Sequence, residues 1–74
     1  MISFKTDVEL EVVTDFDEKA DQITGQSNET FKAGQELDVQ IVDEYSIKGD
    51  TYCDLQFGDG SVAFGIRRDS FTVL

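Results

Sequence analysis

Apolar and polar side chains alternate along much of this chain. Val8, Leu10 and Val12 share one parity, and acidic residues occupy the positions between them. Because successive side chains of a β-strand point to opposite faces, this alternation predicts strands with one buried and one exposed face. Ile2 and Phe4 keep the same parity upstream, and no segment shows a sustained helical period. The sequence therefore predicts an all-β fold.

A glycine-rich turn separates two apolar segments in the C-terminal part of the chain, at Gly58-Asp59-Gly60. If Asp59 and Gly60 form a two-residue type I′ turn, the register of the flanking strands is fixed. The apolar pairs on one face would be Phe57 with Val62, Leu55 with Phe64, and Cys53 with Ile66. A slip of one residue would move all of these side chains to the other face. We therefore expect Phe64 to lie in the core.

The segment from Thr14 to Thr30 is the most polar part of the chain, with only Phe16, Ala20 and Ile23 as apolar anchors. It is longer than most connections, and loops of such length are commonly functional. We therefore predict a long acidic loop here, after the first strand. Residues 43–50 are predicted to form a second, shorter polar loop.

Size and charge limit the classes of function. The chain has 74 residues, and its 16 acidic and 6 basic residues give a formal charge of -10. This length predicts one domain over residues 1–74. So negative a surface repels phosphate backbones and anionic lipids, which disfavours direct binding to nucleic acids and membranes and favours a basic partner. A single cysteine and the lack of a long apolar segment predict a reducing, cytoplasmic setting.

The side chains that carry catalysis lack the neighbours that they need. There is no histidine, so Cys53, Ser61 and Ser70 have no imidazole base, and the predicted register directs the thiol inward. Acid–base chemistry needs a buried carboxylate with a raised pKa, whereas the closely spaced acids fall in predicted loops and on polar strand faces. Their spacing also departs from the calcium-loop pattern. We expect no enzymatic activity, no metal site and no cofactor.

Three motifs point to a known family. Phe31-Lys32-Ala33-Gly34 is followed by Leu37 and Val39, and Ile66 stands five residues before Phe71. Together with Val12-Val13-Thr14-Asp15-Phe16, these motifs resemble the Src-homology-3 (SH3) family of small barrels, over roughly residues 8–74. The first is similar to the family's diverging turn, the second to the apolar residues that bracket its last helical turn, and the third to its Ala-Leu-Tyr-Asp-Tyr segment. The resemblance implies a single, partly open, five-stranded SH3-like barrel.

SH3 domains grip proline-rich peptides in a groove lined by aromatic residues and a proline. By this resemblance Phe16 and Tyr52 occupy two aromatic positions of the groove. Thr14, Arg67 and Ser70 stand where the family has a tyrosine, the proline and another tyrosine. Most of the stacking walls for a proline ridge are therefore missing, and we do not expect ordinary PxxP recognition. The acidic loop is similar to the one with which that family contacts basic ligand residues.

The leading hypothesis is a non-enzymatic, acidic protein-interaction module that binds a basic protein or peptide. Electrostatic steering and an aromatic anchor would act through six residues, namely Asp15, Phe16, Asp17, Glu18, Asp21 and Tyr52. One alternative is a nucleic-acid mimic, whose row of carboxylates would repeat every ~6.8 Å along a strand and continue on an adjacent strand. The residues of that row are Asp7, Glu9, Glu11, Glu36 and Asp38. Another alternative is a structural subunit of a larger assembly. The sequence leaves the oligomeric state open.

Overall fold

A computed structural model describes all of residues 1–74, which form seven β-strands and one short 3-10 helix. The strands are β1 (Ile2–Phe4), β2 (Val8–Asp17), β3 (Gln22–Phe31), β4 (Val39–Ile47), β5 (Asp50–Phe57), β6 (Val62–Arg67) and β7 (Phe71–Val73). The 3-10 helix, Arg68–Ser70, lies between Ile66 and Phe71, where the SH3 resemblance places a short helical turn. The all-β prediction is confirmed.

The strands are arranged in two antiparallel sheets. β1 pairs with β7, and the other five strands follow the order β3-β2-β6-β5-β4. Two backbone hydrogen bonds, of 2.8 and 2.9 Å, join Ile2 to Leu37 just before β4. In place of the expected single five-stranded barrel, the structure therefore has a two-stranded and a five-stranded sheet, neither of them closed. β2 and β6 share only the pair Val13–Val62, and β3 and β4 remain free edges.

Both sheets contribute to one core. Its buried side chains are Ile2, Phe4, Leu37, Val39, Cys53, Leu55 and Phe71. Phe31 extends this core, because its ring stacks on Phe57 with centroids 5.5 Å apart and lies 6.1 Å from Phe4. The predicted alternation in β2 is confirmed, since the apolar positions pack against or within the core, whereas Glu9 and Glu11 are exposed.

The segment from Thr14 to Thr30, predicted to be a long acidic loop, is instead most of a β-hairpin. β2 and β3 pair from Val8–Phe31 to Asp17–Gln22, with a local irregularity around Asp15, and only residues 18–21 form the turn. The prediction is wrong because backbone N–H and C=O groups make the ladder, so polar side chains do not prevent pairing. Val8 and Leu10 pack against the core and anchor the inner half of the hairpin, and the outer half continues the same ladder.

The turn of this hairpin is built by aspartates. Asp17 Oδ1 accepts hydrogen bonds from the backbone N–H groups of Lys19 and Ala20, at 3.0 and 3.3 Å. Such a side-chain-to-backbone bond replaces a backbone turn, which is a characteristic role of Asp. Asp21 adopts a φ of 52°, a left-handed conformation that Asp and Asn tolerate better than most residues.

The turn between β5 and β6 is a three-residue loop, Gly58-Asp59-Gly60, closed by Phe57 and Ser61, rather than the expected two-residue turn. The Gly60 N–H donates to the Phe57 carbonyl at 2.9 Å, and the Phe57 N–H donates to the Ser61 carbonyl at 2.8 Å. Gly60 has a φ of 91°, as the third position of such a loop requires. Asp59 Oδ1 accepts bonds from the backbone N–H and the hydroxyl of Ser61, which lower the pKa of this carboxyl.

The extra loop residue shifts the register next to the turn. Leu55 pairs with Ala63, whereas Cys53 pairs with Ile66 as predicted. Between these pairs β6 has one residue more than β5, so a bulge forms at Gly65, whose φ is 68°. The expectation that Phe64 lies in the core is therefore wrong, and Ala63 takes the buried position.

The second predicted polar loop, residues 43–50, is also mainly strand. β4 runs to Ile47 and β5 begins at Asp50, so only Lys48 and Gly49 connect them. Their φ angles are 52° and 87°, and two positive values are the signature of a type I′ hairpin turn.

Candidate interaction face

The outer face of the five-stranded sheet is identified by one row of paired residues. In the order β3, β2, β6, β5, β4, the partners are Gln26, Val13, Val62, Gln56 and Gln40. Paired residues of antiparallel strands place their side chains on the same face. Val12 and Ala63, which neighbour this row in the chain, are buried, so the row lies on the face directed away from the core.

An apolar cleft opens on the outer face between β2 and β6. The apolar side chains that line it are Val13, Phe16, Val62 and Phe64, which we call the apolar strip. Phe16 is 46% exposed and Phe64 is 58% exposed. Single exposed apolar residues are ordinary, whereas two exposed aromatic rings grouped in one cleft make this cleft the candidate interaction site.

The bulge in β6 explains why Phe64 faces solvent, and Asp54 holds this bulge in place. Asp54 Oδ1 accepts hydrogen bonds from the Gly65 N–H and from the Tyr45 hydroxyl, both at 3.0 Å. Burial and, secondarily, the hydrogen bond to Asp54 raise the pKa of Tyr45 above 10.0. A carboxylate on β5 thus ties β4 and β6 together beside the apolar strip.

Four carboxylates lie at the end of the β2–β3 hairpin, next to the apolar strip. This acidic tip consists of Asp15, Asp17, Glu18 and Asp21. Asp15 also lines the cleft, and its Oδ1 accepts the Phe16 N–H at 3.0 Å. None of the four forms an ion pair within 4.0 Å, since the ion pairs of the structure involve other acids. Their negative charge is therefore available to a partner.

Tyr52, the remaining predicted binding residue, lies elsewhere on the outer face. Tyr52 is on β5, which is separated from β2 by β6. It pairs with Arg67 of β6, and its ring stacks on the ring of Tyr45 with centroids 6.2 Å apart. The structure thus brings Asp15 and Phe16 together in the cleft and places the other acids of the tip beside it, but it does not bring Tyr52 into the cleft.

Sequence reasoning missed Val62 and Phe64 as members of this surface. Both were assigned to the core because a two-residue turn was assumed. The available signal was Gly65, since an isolated glycine within a strand pattern indicates a bulge. A bulge changes which face the side chains on one side of it point to. Here Ile66 keeps its predicted pairing with Cys53, whereas Phe64 points to solvent.

The groups with chemical reactivity are arranged for structure. Cys53 is fully buried, and burial is the main cause that raises the pKa of its thiol. A thiol held in its protonated form is a poor nucleophile. No group of three or more Cys, Asp or Glu side chains converges as a metal-binding cluster. The cleft itself is lined by the four apolar side chains of the strip and by the carboxylate of Asp15.

The predicted row of phosphate-like carboxylates is shorter in the structure. Glu9 and Glu11 share the outer face of β2 and are exposed. Asp7, in contrast, accepts the Ala33 N–H at 2.8 Å and pairs with Lys32 at 3.6 Å. The expectation that Glu36 and Asp38 extend the row on an adjacent strand is wrong, because the strand that follows them, β4, is separated from β2 by β5 and β6.

Comparison of the chain with protein-family models, with curated proteins and with solved structures finds no match. The structure contains no helix of the length and apolar character needed to span a membrane.

Proposed function

We propose that this chain is a non-enzymatic interaction module that binds a basic protein or peptide on the outer face of its five-stranded sheet. The observation that carries the proposal is the apolar strip, in which Phe16 and Phe64 are exposed in one cleft next to the acidic tip. An apolar group of the partner would cover the two rings. Lysine or arginine residues flanking that group would then meet unpaired carboxylates.

The two parts of this surface would contribute differently. Buried aromatic anchors supply most of the affinity of protein interfaces, at about 2 kcal/mol or more for the strongest residues. Charges at the rim mainly raise the association rate and confer salt dependence. The proposal therefore assigns affinity to Phe16 and Phe64, and assigns rate and selectivity for basic partners to Glu18 and Asp21.

We also propose that the fold is SH3-like. The proposal is supported by the consecutive pairing of β4, β5 and β6, by the 3-10 helix before the last strand, and by Gly34, whose φ is 78° in the expected diverging turn. The apolar strip shares only Phe16 with the proline groove assigned by resemblance, because Val62 and Phe64 have no counterpart there and Tyr52 lies outside the cleft. A proline-rich ligand is accordingly not the proposed partner.

A reducing, cytoplasmic setting is part of the same proposal. Its support is the single cysteine, Cys53, which is free and buried among apolar side chains. Such a residue behaves as a small core hydrophobe and needs no oxidising compartment.

The proposal is tested by capturing partners from native lysate at low salt, purifying the bound protein and measuring its dissociation constant with variants. Phe16→Ala and Phe64→Ala should each weaken binding about tenfold or more. Ile47→Ala is the matched control, since Ile47 is also an exposed apolar residue but lies at the β4–β5 turn. Equal binding by all three variants would overturn the proposal.

Charge variants separate the proposal from the mimic alternative. Glu18→Gln and Asp21→Asn remove acidic-tip charges, and asparagine tolerates the positive φ of position 21. These variants should slow association and flatten its salt dependence, with Glu36→Gln as control. If only Glu9→Gln and Glu11→Gln abolish binding, and the partner is a nucleic-acid-binding protein, the mimic hypothesis replaces the proposal.

A further inference from the structure

Positive charge is concentrated in one groove of this acidic protein. The groove lies between the end of β1, the β4–β5 turn and the 3-10 helix, and its lining includes Lys5, Arg67 and Arg68. Two carboxylates, Asp50 and Asp69, also line it. The groove therefore carries a net positive charge on a chain whose total charge is -10. Neither the apolar strip nor the acidic tip includes any of these residues.

Arg67 bonds to both carboxylates of the groove through Nε and Nη2. Its Nη2 lies 3.3 Å from Asp50 Oδ1, and its Nε lies 3.2 Å from Asp69 Oδ1. The hydrogen bond and charge of Arg67 lower the pKa of Asp69, which keeps that carboxylate ionised. Arg67 thus joins the start of β5 to the 3-10 helix and offsets one of the two negative charges there.

Lys5 and Arg68 are the groove cations that form no ion pair within 4.0 Å, and the charge of Lys5 helps Arg67 to lower the pKa of Asp69. The Arg68 guanidinium lies over the ring of buried Phe71, 4.9 Å from its centroid, and Nη1 donates to the Phe71 carbonyl at 3.5 Å. This packing fixes its plane and uses one of its five N–H donors. Lys5 is held by its backbone, which donates to the Ser70 carbonyl at 3.0 Å, while its ammonium forms no ion pair within 4.0 Å.

We propose that this groove binds a single oxyanion group, a carboxylate or a phosphate monoester, between Lys5 and Arg68. A guanidinium held in one plane presents paired donors to two oxygens of such a group, and an ammonium adds a mobile point charge. A polyanion does not fit, because the rest of the surface is strongly acidic and repels an extended row of negative charges. A single anionic group in the groove is attracted by the nearby cations. It is little affected by the acids elsewhere on the surface, because exposed charges are screened beyond about 10 Å at 0.1 M salt.

The test is a titration of the 15N-labelled protein with inorganic phosphate and, separately, with acetate, at constant ionic strength set with chloride. We expect saturable shifts at the amides of Lys5, Gly49, Thr51 and Arg68, with the β2–β3 hairpin unaffected. Saturation by phosphate alone assigns the groove to phosphate monoesters, and saturation by acetate as well extends it to carboxylates. Absence of saturable shifts with both anions overturns the proposal.

Variants show whether the site or the overall charge is responsible. Lys5→Gln and Arg68→Gln should each weaken binding about tenfold or more. Lys19→Gln removes the same charge in the hairpin turn and should leave binding unchanged, whereas equal weakening by Lys19→Gln overturns the proposal. Because Arg68 packs on the core, Lys5→Gln is the decisive variant: the Lys5 residue is exposed and its side chain forms no hydrogen bond or ion pair.

Discussion

Removal of the Asp54 carboxylate should loosen the bulge that turns Phe64 outward. Asp54→Ala deletes the acceptor of two hydrogen bonds, from the Gly65 N–H and the Tyr45 hydroxyl. These bonds hold the additional residue of β6 against β5 and connect it to β4. The substitution therefore tests the physical cause of the outer surface rather than the surface itself.

The magnitude follows from the number of bonds lost. A net contribution of about 1 kcal/mol per hydrogen bond predicts that Asp54→Ala costs about 2 kcal/mol. Tyr45→Phe removes only one of the two bonds and should cost about 1 kcal/mol. Asp54→Asn keeps a side-chain oxygen as acceptor and should cost less than Asp54→Ala. Against a total stability of about 4–11 kcal/mol for a chain of this size, these losses are measurable.

The assay is urea unfolding followed by circular dichroism. With a slope of about 1 kcal/mol/M for a small protein, Asp54→Ala should lower the midpoint by about 2 M with the slope unchanged. The Asp54→Ala and Tyr45→Phe double variant should be no less stable than Asp54→Ala alone, because the hydroxyl has already lost its acceptor. An unchanged midpoint for Asp54→Ala, or equal losses in the two single variants, would refute the assigned role of the Gly65 bond.

Three other outcomes are expected. Phe4→Ala should destabilise the fold by about 3–5 kcal/mol, whereas Phe64→Ala should stay within about 0.5 kcal/mol, and comparable losses in urea unfolding would contradict the burial assigned to these rings. The raised pKa of Tyr45 means that the unfolded chain loses this proton first, so stability should fall as pH rises past about 10. Tyr45→Phe should reduce that fall in pH-dependent unfolding, and an unchanged pH profile would exclude the tyrosine as its source. Finally, salt should raise the melting temperature of this chain, because its charge is -10 and the carboxylates repel one another. The Debye length shortens from about 30 Å at 0.01 M to about 8 Å at 0.15 M salt, which screens this repulsion. A flat response would show that repulsion among the carboxylates does not limit stability.

The strands with strong alternation could be predicted from the sequence. In β2, Val8, Leu10 and Val12 pack inward as their parity requires, because side-chain direction depends only on the extended backbone. The outer half of the same strand could not be recognised, since its polar side chains carry no burial pattern. Its pairing comes from continuing a ladder whose register is already fixed nearer the core.

The register of the last hairpin depends on one residue, which limited the prediction. Cys53 and Ile66 pair as expected because the three-residue loop and the bulge compensate each other at that distance. Between the loop and the bulge, the side chains of β6 face the side opposite to the one predicted, so Phe64 is exposed. Composition and periodicity do not distinguish a two-residue turn from a three-residue loop at Gly58-Asp59-Gly60, whereas the hydrogen bonds of Phe57 do.

The candidate site was predicted only in part, because one of its two sides depends on the register of β6. Asp15 and Phe16 are neighbours in β2 and both line the cleft because the β2–β3 register is irregular on either side of Asp15, and the acids of the tip follow directly in sequence. The other side of the cleft comes from β6, which requires the three-dimensional pairing of Val13 with Val62. Whether the predicted residues bind a partner stays a prediction.

The most direct test of the account is the pairing of β5 with β6, measured by cross-strand NOEs between backbone protons in solution. The account predicts contacts that place Leu55 opposite Ala63 and Cys53 opposite Ile66, with two residues of β6 facing Asp54 between them. Contacts that place Leu55 opposite Phe64 would return that ring to the core. The cleft, and the function assigned to it, would then be contradicted.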